Sequence, residues 1–288
     1  MAAQKTFRFA PTPNGPLHLG HAYSALLNSD MARACKGRLL LRMENIDEER
    51  CRVEYEELMV EELGWLGLDW RRPVRRQSEH FESYALALEQ LSVRGLVYPC
   101  FCSRREVLAA TEGRDGWPRD PDGSPLYPGT CRHLAPEERG RRLHGPEYAA
   151  QRLDMAAALA ECGELLGWRE FGQGEEARDV RAEPAMWGDV ILGRKDVPAS
   201  YHLAVVLDDA LQGVTDVVRG QDLFAATGLH RLLQSLLELD APDYRHHPLL
   251  LDGEGRKLSK SAGSKSLAMW RAEGASVSDI RRMVGMNA

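Results

Sequence analysis

The chain has 288 residues, of which 43% are hydrophobic and 28% are charged, enough for one large domain or two modest ones with a buried core. Its formal net charge of −6 excludes a protein that is basic throughout, so nucleic-acid contacts would depend on local patches such as Arg71–Arg76 and Arg139–Arg142. Each patch is explained equally well as a solvated charged face. No apolar run approaches the roughly 18–20 residues that cross a bilayer, and the N-terminus has no apolar signal stretch. We therefore expect a cytoplasmic protein with no membrane partner.

The first 43 residues predict a strand–helix–strand unit. Thr6–Ala10 alternates apolar and polar residues and is typical of a strand, and the turn-forming residues 11–16 follow it. A helix is expected over 18–35, with Lys36-Gly37 as its C-cap, and an aliphatic strand over 38–43. This βαβ unit predicts an α/β fold with a parallel sheet.

Beyond the second strand, apolar periodicity predicts three further helices, and a region of broken pattern lies before the last of them. That region, from Tyr98 to about Pro146, contains a Gly/Asp/Pro-rich stretch and predicts an insertion outside the sheet. Residues 150–185 predict a mixture of short elements. The expected helices cover 48–66, 79–94 (stopped by Gly95) and 222–239, and the expected strands cover 189–192, 201–207 and 247–251.

Two short motifs carry the strongest functional signal: His18-Leu19-Gly20-His21 at a helix start and Lys257-Leu258-Ser259-Lys260-Ser261 in a late loop. Activating a carboxylate with ATP requires stabilisation of negative charge on the leaving pyrophosphate. A helix N-terminus offers N–H groups to an anion, the histidines add ring donors, and Gly20 allows close approach of the nucleotide. Lys257 and Lys260 would add positive charge. The alternative is that His18 merely caps the helix and the lysine loop is a solvated turn.

In this order, the two motifs resemble the signature sequences of class I aminoacyl-tRNA synthetases. The resemblance implies a Rossmann-like parallel sheet with helices on both faces, and ATP with Mg²⁺ as a substrate. It also implies roles for individual residues. The catalytic residues would be His18, His21, Lys257 and Lys260, and the ATP-binding residues would be His18, Gly20, His21 and Lys260.

Four further segments, which are Arg8–Gly15, Arg42–Asp47, Ser200–Asp209 and Gly213–Asp222, resemble the glutamyl/glutaminyl branch of that class. The resemblance implies a pocket for glutamate built from residues of these segments. Its members would be Arg8, Ala10, Thr12, Glu44, Tyr201 and Arg219.

These side chains suit an amino acid with an acidic side chain. Glu44 can pair with the α-ammonium group, while Arg8 and Arg219 can each offer a planar fork of donors to a carboxylate. Tyr201 can contribute a hydroxyl at the pocket wall. Asp208-Asp209 is expected either to hold the lysine loop or the ribose, or to cap the end of a strand.

The resemblance runs through nearly the whole chain and implies a domain plan. Residues 1–97 and 186–262 would form the catalytic domain, 98–185 an inserted subdomain and 263–288 a short helical tail, with no anticodon-binding domain. This plan, with a Cys-x-Cys…Tyr-x-x-x-Cys insertion, is similar to the family of glutamyl-Q tRNA(Asp) synthetases. Members of that family activate L-glutamate without tRNA and attach it to the queuosine base in the anticodon of tRNA(Asp). We expect a monomer.

Three alternatives remain open at the level of the sequence. The first is a truncated glutamyl-tRNA synthetase that charges a tRNA 3′ end. The second is a nucleotidyltransferase that adenylylates a small molecule. The third is a non-enzymatic paralogue that binds tRNA, although such a protein would be expected to have lost His21, Lys260 or Arg8, and all three are present.

The insertion contains candidate ligands for one structural zinc ion. Cys100, Cys102 and Cys131 supply three thiolates, which together with one further ligand make a legitimate tetrahedral site. The residues leave the fourth ligand open between Tyr127 and His133. The family pattern has a tyrosine four residues before the last cysteine and so implies Tyr127. The other cysteines, which are Cys35, Cys51 and Cys162, fall in predicted helical stretches and are expected to be small core residues.

Overall fold

The computed structural model describes residues 4–145, 148–163, 165–172, 176–251, 258 and 264–287. Its regular structure consists of strands, α-helices and a few short 3₁₀ turns. The strands are β1 (Thr6–Phe9), β2 (Arg38–Met43), β3 (Arg71–Arg76), β4 (Val97–Cys100), β5 (Ala150–Leu153), β6 (Gly167–Phe171), β7 (Ala177–Arg181), β8 (Ile191–Gly193), β9 (Asp216–Gly220) and β10 (Asp243–His247). The helices are α1 (Leu19–Ala34), α2 (Val53–Trp65), α3 (Phe81–Val93), α4 (Arg104–Thr111), α5 (Pro136–Leu143), α6 (Met155–Cys162), α7 (Tyr201–Leu211), α8 (Phe224–Leu236), α9 (Leu267–Ala272) and α10 (Val277–Met283).

The strands form two sheets. The larger has the order β3-β2-β1-β9-β10-β6-β7, and all its neighbours are parallel except β6 and β7, which pair antiparallel at one edge. Successive residues of β2 point to opposite faces. Leu40 belongs to the core shared with α3, α7 and α8, whereas Leu39 and Leu41 belong to the core shared with α1 and α2. The predicted α/β fold with helices on both faces is confirmed.

The expected insertion is divided between the two sheets. Strands β4 and β5 pair antiparallel and, with β8, form the smaller sheet. Strand β6 instead pairs parallel with β10 and extends the larger sheet, and β7 follows it. The pairing therefore does not follow the expected boundary at residue 185, because residues 167–181 lie in the main sheet and residues 191–193 in the smaller one.

Two sequence interpretations of local structure are wrong. Residues Tyr201–Leu207, expected as a strand, form the first part of α7, because a short apolar run cannot be distinguished from a buried helix by periodicity and this run continues to Leu211. The last strand of the sheet is Asp243–His247 rather than 247–251. The first helix ends close to the predicted place, but Lys36, with φ of 54°, takes the left-handed conformation instead of Gly37.

The helical tail packs onto the start of α1. The backbone N–H of Leu267 donates to the Leu17 carbonyl at 2.8 Å, and Leu267 and Ile280 are fully buried in the core beside α1. Of the helices in the described part of the chain, none has the length and apolar character to cross a membrane.

Candidate active site

The first helix begins at the histidine motif. His18 is the N-cap of α1: its Nδ1 accepts from the Gly20 backbone N–H at 3.1 Å, and its own N–H donates to Nδ1 of His21 at 3.2 Å. The two rings lie 3.9 Å apart between their centroids. A Cβ at position 20 would approach the His18 ring to 2.9 Å, which explains the glycine. The motif therefore caps the helix and also presents both rings at a helix N-terminus.

A cavity of about 770 Å³ lies at the carboxyl ends of β1 and β9, beside the start of α1. This is the usual position of ligands in parallel α/β sheets. The residues expected to bind glutamate and the histidine motif line the cavity together, with one residue of the lysine motif. These lining residues are Arg8, Ala10, Thr12, His18, Gly20, His21, Glu44, Tyr201, Arg219 and Leu258.

The two lysines of the second motif, Lys257 and Lys260, lie outside the described residues. Their catalytic assignment stays a prediction. Leu258, which stands between them in sequence, lines the cavity and donates its backbone N–H to the Leu250 carbonyl at 3.1 Å. One residue of the lysine motif is thus at the cavity wall.

Three arginines and three carboxylates form a buried group of ion pairs behind this wall. We call it the ion-pair cluster; it comprises Arg8, Arg42, Arg75, Glu44, Asp208 and Asp209. Arg42 is fully buried at its centre, and its terminal nitrogens donate to Asp209 at 2.8 Å and to Glu44 at 3.1 Å. Burial by itself lowers the pKa of Arg42, but the three carboxylates raise it above its ordinary value. The formal charges of the cluster balance, as buried ionic groups require.

Arg8 and Glu44 belong both to the cavity wall and to the ion-pair cluster. Arg8 donates from Nε to Asp209 at 3.2 Å and from Nη1 to the Val218 carbonyl at 3.4 Å. Of the described residues, none accepts from its Nη2, so Arg8 can offer this nitrogen, rather than its full donor fork, to a ligand. Burial raises the pKa of Glu44, while Arg42 and Arg8 oppose that rise.

Arg219 has different surroundings, although it is also buried and also lines the cavity. Its Nε donates to His246 at 3.2 Å, and Nη1 donates to His230 at 3.3 Å and to Tyr201 at 3.4 Å. Its Nη2 donates to Thr227 at 2.8 Å and to the Leu223 carbonyl at 3.2 Å. All of these acceptors are neutral groups. Among the described residues no carboxylate forms an ion pair with Arg219.

The histidines near Arg219 are held in the neutral form. Burial, and next the charge of Arg219, lower the pKa of His202 to about 4 and that of His230 well below its ordinary value. Burial also lowers the pKa of His246, against the opposing effect of Glu170. A neutral imidazole can accept a hydrogen bond from a guanidinium group, whereas an imidazolium cannot. These rings therefore leave the positive charge of Arg219 uncompensated.

Asp208 and Asp209 do not cap the end of a strand, which was one of the two roles expected from the sequence. Both lie inside α7 rather than at a strand end, and both are buried. Asp208 accepts from Arg75 at 2.7 Å and from Gln77 at 2.8 Å. In Asp209 burial raises the pKa, but Arg8 and Arg42 hold it below its ordinary value. The contacts of the pair in the described part of the chain are with arginines and with neighbouring polar groups of the ion-pair cluster.

Arginines of both basic patches make contacts within the protein. Arg71–Arg76 is the edge strand β3, where Arg75 pairs with Asp208 and Arg76 donates to Glu56 at 2.6 Å. The second patch lies on α5, where Arg142 stacks 4.4 Å from the Phe101 ring centroid. Arg75 and Arg76 therefore serve the protein's own carboxylates.

Three cysteines and one tyrosine meet in the insertion. The Sγ atoms of Cys100, Cys102 and Cys131 all lie within 4.8 Å of one another. Cys102 Sγ is 3.5 Å from Cys131 Sγ, and the Tyr127 hydroxyl is 3.3 Å from Cys100 Sγ and 3.4 Å from Cys102 Sγ. A tetrahedral zinc ion with bonds of about 2.0–2.3 Å has edges of roughly 3.3–3.8 Å between ligand atoms. This donor set fits zinc in both chemistry and spacing, and His133 is exposed to solvent.

Of the remaining cysteines, Cys162 agrees with the expected placement, since it ends α6 and packs against the hydrophobic core, whereas Cys35 and Cys51 do not. Cys35 is the exposed C-cap of α1, while Cys51 and Cys162 are partly buried. Cys51 also lies before α2 instead of inside a helix. The predicted core placement is wrong for Cys35, because that helix ends one residue earlier.

Sequence reasoning missed several groups of the site. Asp222 and His247 line the cavity, and a Cβ at Gly220 would collide with the Asp222 carboxylate, so the glycine makes room for it. Asp222 ends the segment Gly213–Asp222, in which the resemblance implies a role for Arg219 alone. His246 and His230 gave no signal, because isolated histidines have no distinctive spacing.

Comparisons with known proteins identify the family. A model described as "tRNA synthetases class I (E and Q), catalytic domain" matches residues 5–284. The chain belongs to this family. It is 48% identical over 97% of its length to a protein from Rhodobacter capsulatus named glutamyl-Q tRNA(Asp) synthetase, and covers 99% of that protein. A protein of the same name from Albidiferax ferrireducens is 40% identical over 93% of the chain, which covers 88% of that relative.

A solved structure gives the same result for the fold. The crystal structure of glutamate-tRNA synthetase from Elizabethkingia anophelis matches 99% of this chain with a TM-score of 0.79 and 26% identity. The chain spans 61% of the length of that protein. Members of the class I synthetase family are ligases, so the family supports an enzyme over a non-enzymatic paralogue.

Proposed function

We propose that this synthetase activates L-glutamate with ATP, without tRNA, and transfers the glutamate to the queuosine base in the anticodon of tRNA(Asp). The observation that carries the proposal is Arg219, a buried cation in the cavity wall whose protein partners are all neutral. A buried charge without an opposite charge beside it is costly even when it is hydrogen-bonded, so such a site favours an anionic ligand. The names of the most similar relatives supply the choice of glutamate and of the tRNA acceptor.

Arg219 is assigned to the side-chain carboxylate of glutamate. The α-carboxylate has to attack phosphorus, and a tight pair with a buried guanidinium would reduce its nucleophilicity. Glu44 accepts the α-ammonium group, since its Oε1 already pairs with Arg42 and its second oxygen can take a further donor. Tyr201 adds a hydroxyl beside Arg219, and Arg8 offers Nη2. Ala10 and Thr12 form the wall where the chain leaves β1.

ATP, as its Mg²⁺ complex, is placed at the N-terminus of α1. An oxygen of the α-carboxylate attacks the α-phosphorus, the bond to the pyrophosphate breaks, and glutamyl-adenylate and pyrophosphate form. His18 and His21 act as donors to the phosphates, and Gly20 leaves room for them. Lys257 and Lys260 are assigned to the charge on the leaving pyrophosphate. A hydroxyl of queuosine then attacks the glutamyl carbonyl, loses its proton and releases AMP.

Pyrophosphate exchange tests the first step. Glutamate-dependent exchange between ATP and labelled pyrophosphate should occur with no tRNA present. Glutamine should be a poor substrate because its amide would leave a charge of the pocket unpaired, and aspartate because its shorter side chain would misplace the carboxylate. Exchange that appears only after tRNA is added would contradict the proposal.

The acceptor is tested with altered tRNA. Labelled glutamate should transfer to tRNA(Asp) that lacks its 3′ adenosine and should not transfer to tRNA(Asp) that lacks queuosine. The opposite result would favour a glutamyl-tRNA synthetase that charges a 3′ end. The proposal includes a monomeric cytoplasmic enzyme, and gel filtration of the purified protein checks the first of these properties.

One structural zinc ion belongs to the proposal. Cys100, Cys102, Cys131 and Tyr127 would hold it, and bound zinc would crosslink β4 to the loop before α5. One zinc ion per chain should copurify, and Cys100→Ser should lose it. Metal analysis of Tyr127→Phe and His133→Ala assigns the fourth ligand: retention in the first with loss in the second would move the ligand to His133.

A further inference from the structure

We propose that Glu170 and His246 are positioning residues that fix the guanidinium group of Arg219 for the glutamate carboxylate while keeping a carboxylate away from it. The inference rests on the proposed function and adds two residues that do not line the substrate cavity. Glu170 lies on β6 and His246 on the neighbouring strand β10. Both are buried.

The contacts of His246 determine which ring nitrogen carries its proton. Glu170 lies 2.8 Å from Nδ1 of His246, and a carboxylate accepts only, so Nδ1 carries the proton. Arg219 donates from Nε to Nε2 of His246 at 3.2 Å, and a guanidinium group donates only, so Nε2 has the lone pair. Two independent neighbours therefore require the same neutral form of the ring.

Glu170 is itself fixed in this arrangement. One oxygen accepts the backbone N–H of His246 at 2.9 Å, and the other accepts the Trp168 indole N–H at 3.0 Å as well as the imidazole. Burial raises the pKa of Glu170, but these hydrogen bonds and the adjacent ring hold it below its ordinary value. The carboxylate is thus ionised and has no freedom to turn toward Arg219.

The remaining contacts of Arg219 are also with neutral acceptors. Nη1 donates to Nδ1 of His230, so Nε2 of His230 carries the proton and faces Nδ1 of His202 at 3.1 Å. Thr227 accepts from Nη2 and lies 3.1 Å from Nε2 of His246. Within the described part of the chain, every group that accepts a hydrogen bond from the guanidinium group is neutral. Glu170, the acidic group that follows in the series Arg219–His246–Glu170, is separated from Arg219 by an imidazole ring.

This arrangement has a consequence for selectivity. A carboxylate in the place of the His246 ring would orient Arg219 equally well but would also neutralise it, as Asp209 does for Arg8. An imidazole held by Glu170 orients the cation and leaves its charge for the ligand. The arrangement therefore favours the carboxylate of glutamate over the uncharged amide of glutamine.

Glu170→Gln tests the inference with little change of shape. Whichever way the amide turns, its N–H groups face either Nδ1–H or the backbone N–H of His246, so at least one hydrogen bond is lost. In exchange without tRNA, KM for glutamate should rise by about tenfold or more, the scale of one unsatisfied buried hydrogen bond. KM for ATP should not change, and the preference for glutamate over glutamine should fall.

A pair of substitutions at position 246 separates positioning from simple structural damage. His246→Leu removes the acceptor for Nε of Arg219 and should raise KM for glutamate. His246→Gln can return a carbonyl oxygen to that nitrogen and should restore part of the affinity. Asp216→Asn is the matched control, because Asp216 is a buried acid at the other end of β9, where it pairs with Lys5.

The outcomes distinguish this inference from the proposed function. If the wild-type protein shows no glutamate-dependent exchange, the proposed function itself fails. If wild-type exchange is normal but folded Glu170→Gln and His246→Leu keep the wild-type KM for glutamate, only the positioning role is overturned. An equal rise in KM for glutamate and for ATP, matched by Asp216→Asn, would also overturn it.

Discussion

Two buried arginine environments meet at one cavity, and they differ in charge. In the ion-pair cluster, Arg42 contacts three carboxylates and has no exposed surface. Arg219 is almost as deeply buried but is surrounded by neutral imidazole, hydroxyl and carbonyl groups. The first environment balances its charges within the protein, whereas in the second no carboxylate of the described residues pairs with the cation.

Balanced and unbalanced buried charges have different consequences for stability and for ligand binding. A balanced group of buried charges fixes the relative positions of β2, β3 and α7, since removing one member leaves the others unpaired. An unbalanced buried cation contributes little to folding, but it supplies binding energy to a ligand that carries the missing charge. The comparison therefore predicts that substitutions in the ion-pair cluster mainly lower stability, whereas substitution of Arg219 mainly lowers activity with glutamate.

The largest expected effect is on stability. Arg42→Met leaves Asp208, Asp209 and Glu44 without their central cation and should lower the free energy of unfolding by about 3–5 kcal/mol. Urea unfolding followed by circular dichroism measures this. Adding Asp209→Asn to Arg42→Met should recover part of the loss. A loss below about 1 kcal/mol, the scale of an exposed ion pair, would contradict the claim that the ion-pair cluster stabilises the fold.

Lys260→Ala separates the charge that binds glutamate from the charge that serves the phosphates. The substitution should lower the activation rate by about 10²–10³-fold, the scale for one preorganised donor to the transition state. Glutamate binding should change little. If Lys260→Ala instead weakens glutamate binding at an unchanged maximal rate, the lysine belongs to the amino-acid pocket and Arg219 is not its main cation.

Lowering the pH should have a smaller effect on stability. The surroundings of Arg219 are neutral only as long as the buried histidines are unprotonated. The folded pKa of His202 is about 4, below its ordinary value of 6.5, so the unfolded chain binds a proton between these values that the folded chain does not. Stability should therefore fall as pH is lowered from about 6.5 toward 4, by roughly 2 kcal/mol at pH 5 for this residue.

Urea unfolding at pH 7 and pH 5 checks that expectation. His202→Gln should reduce the pH-dependent loss, while the same change at the exposed His144 should not. If the two variants lose the same free energy of unfolding between pH 7 and pH 5, His202 is not held neutral by the fold.

Local patterns predicted those parts of the molecule that local forces determine. The start of α1 and the whole of β2 follow from turn residues, glycine and an aliphatic run, and the structure has them where the sequence placed them. The run that begins at Tyr201 was misassigned, since tertiary packing rather than periodicity makes it a helix. The cysteine cluster was found because its spacing is itself a chemical signal.

The sequence could not predict how the charges are paired. Arg8 and Arg219 had the same expected role, because residue type alone does not reveal partners. Arg8 and Asp209 are 201 positions apart, and only the sheet brings them together. Glu170 lies in a segment expected outside the catalytic domain, and its contact with His246 arises from the pairing of β6 with β10.

The most direct test of the account is the response of Arg219→Met in exchange without tRNA, together with its stability. Loss of a buried charge partner should lower kcat/KM for glutamate by about 100-fold or more, mainly through KM, with KM for ATP unchanged. The free energy of unfolding should fall less than in Arg42→Met. A strongly destabilised variant that still binds glutamate with the wild-type KM would contradict the claim that Arg219 is the cation kept for the substrate.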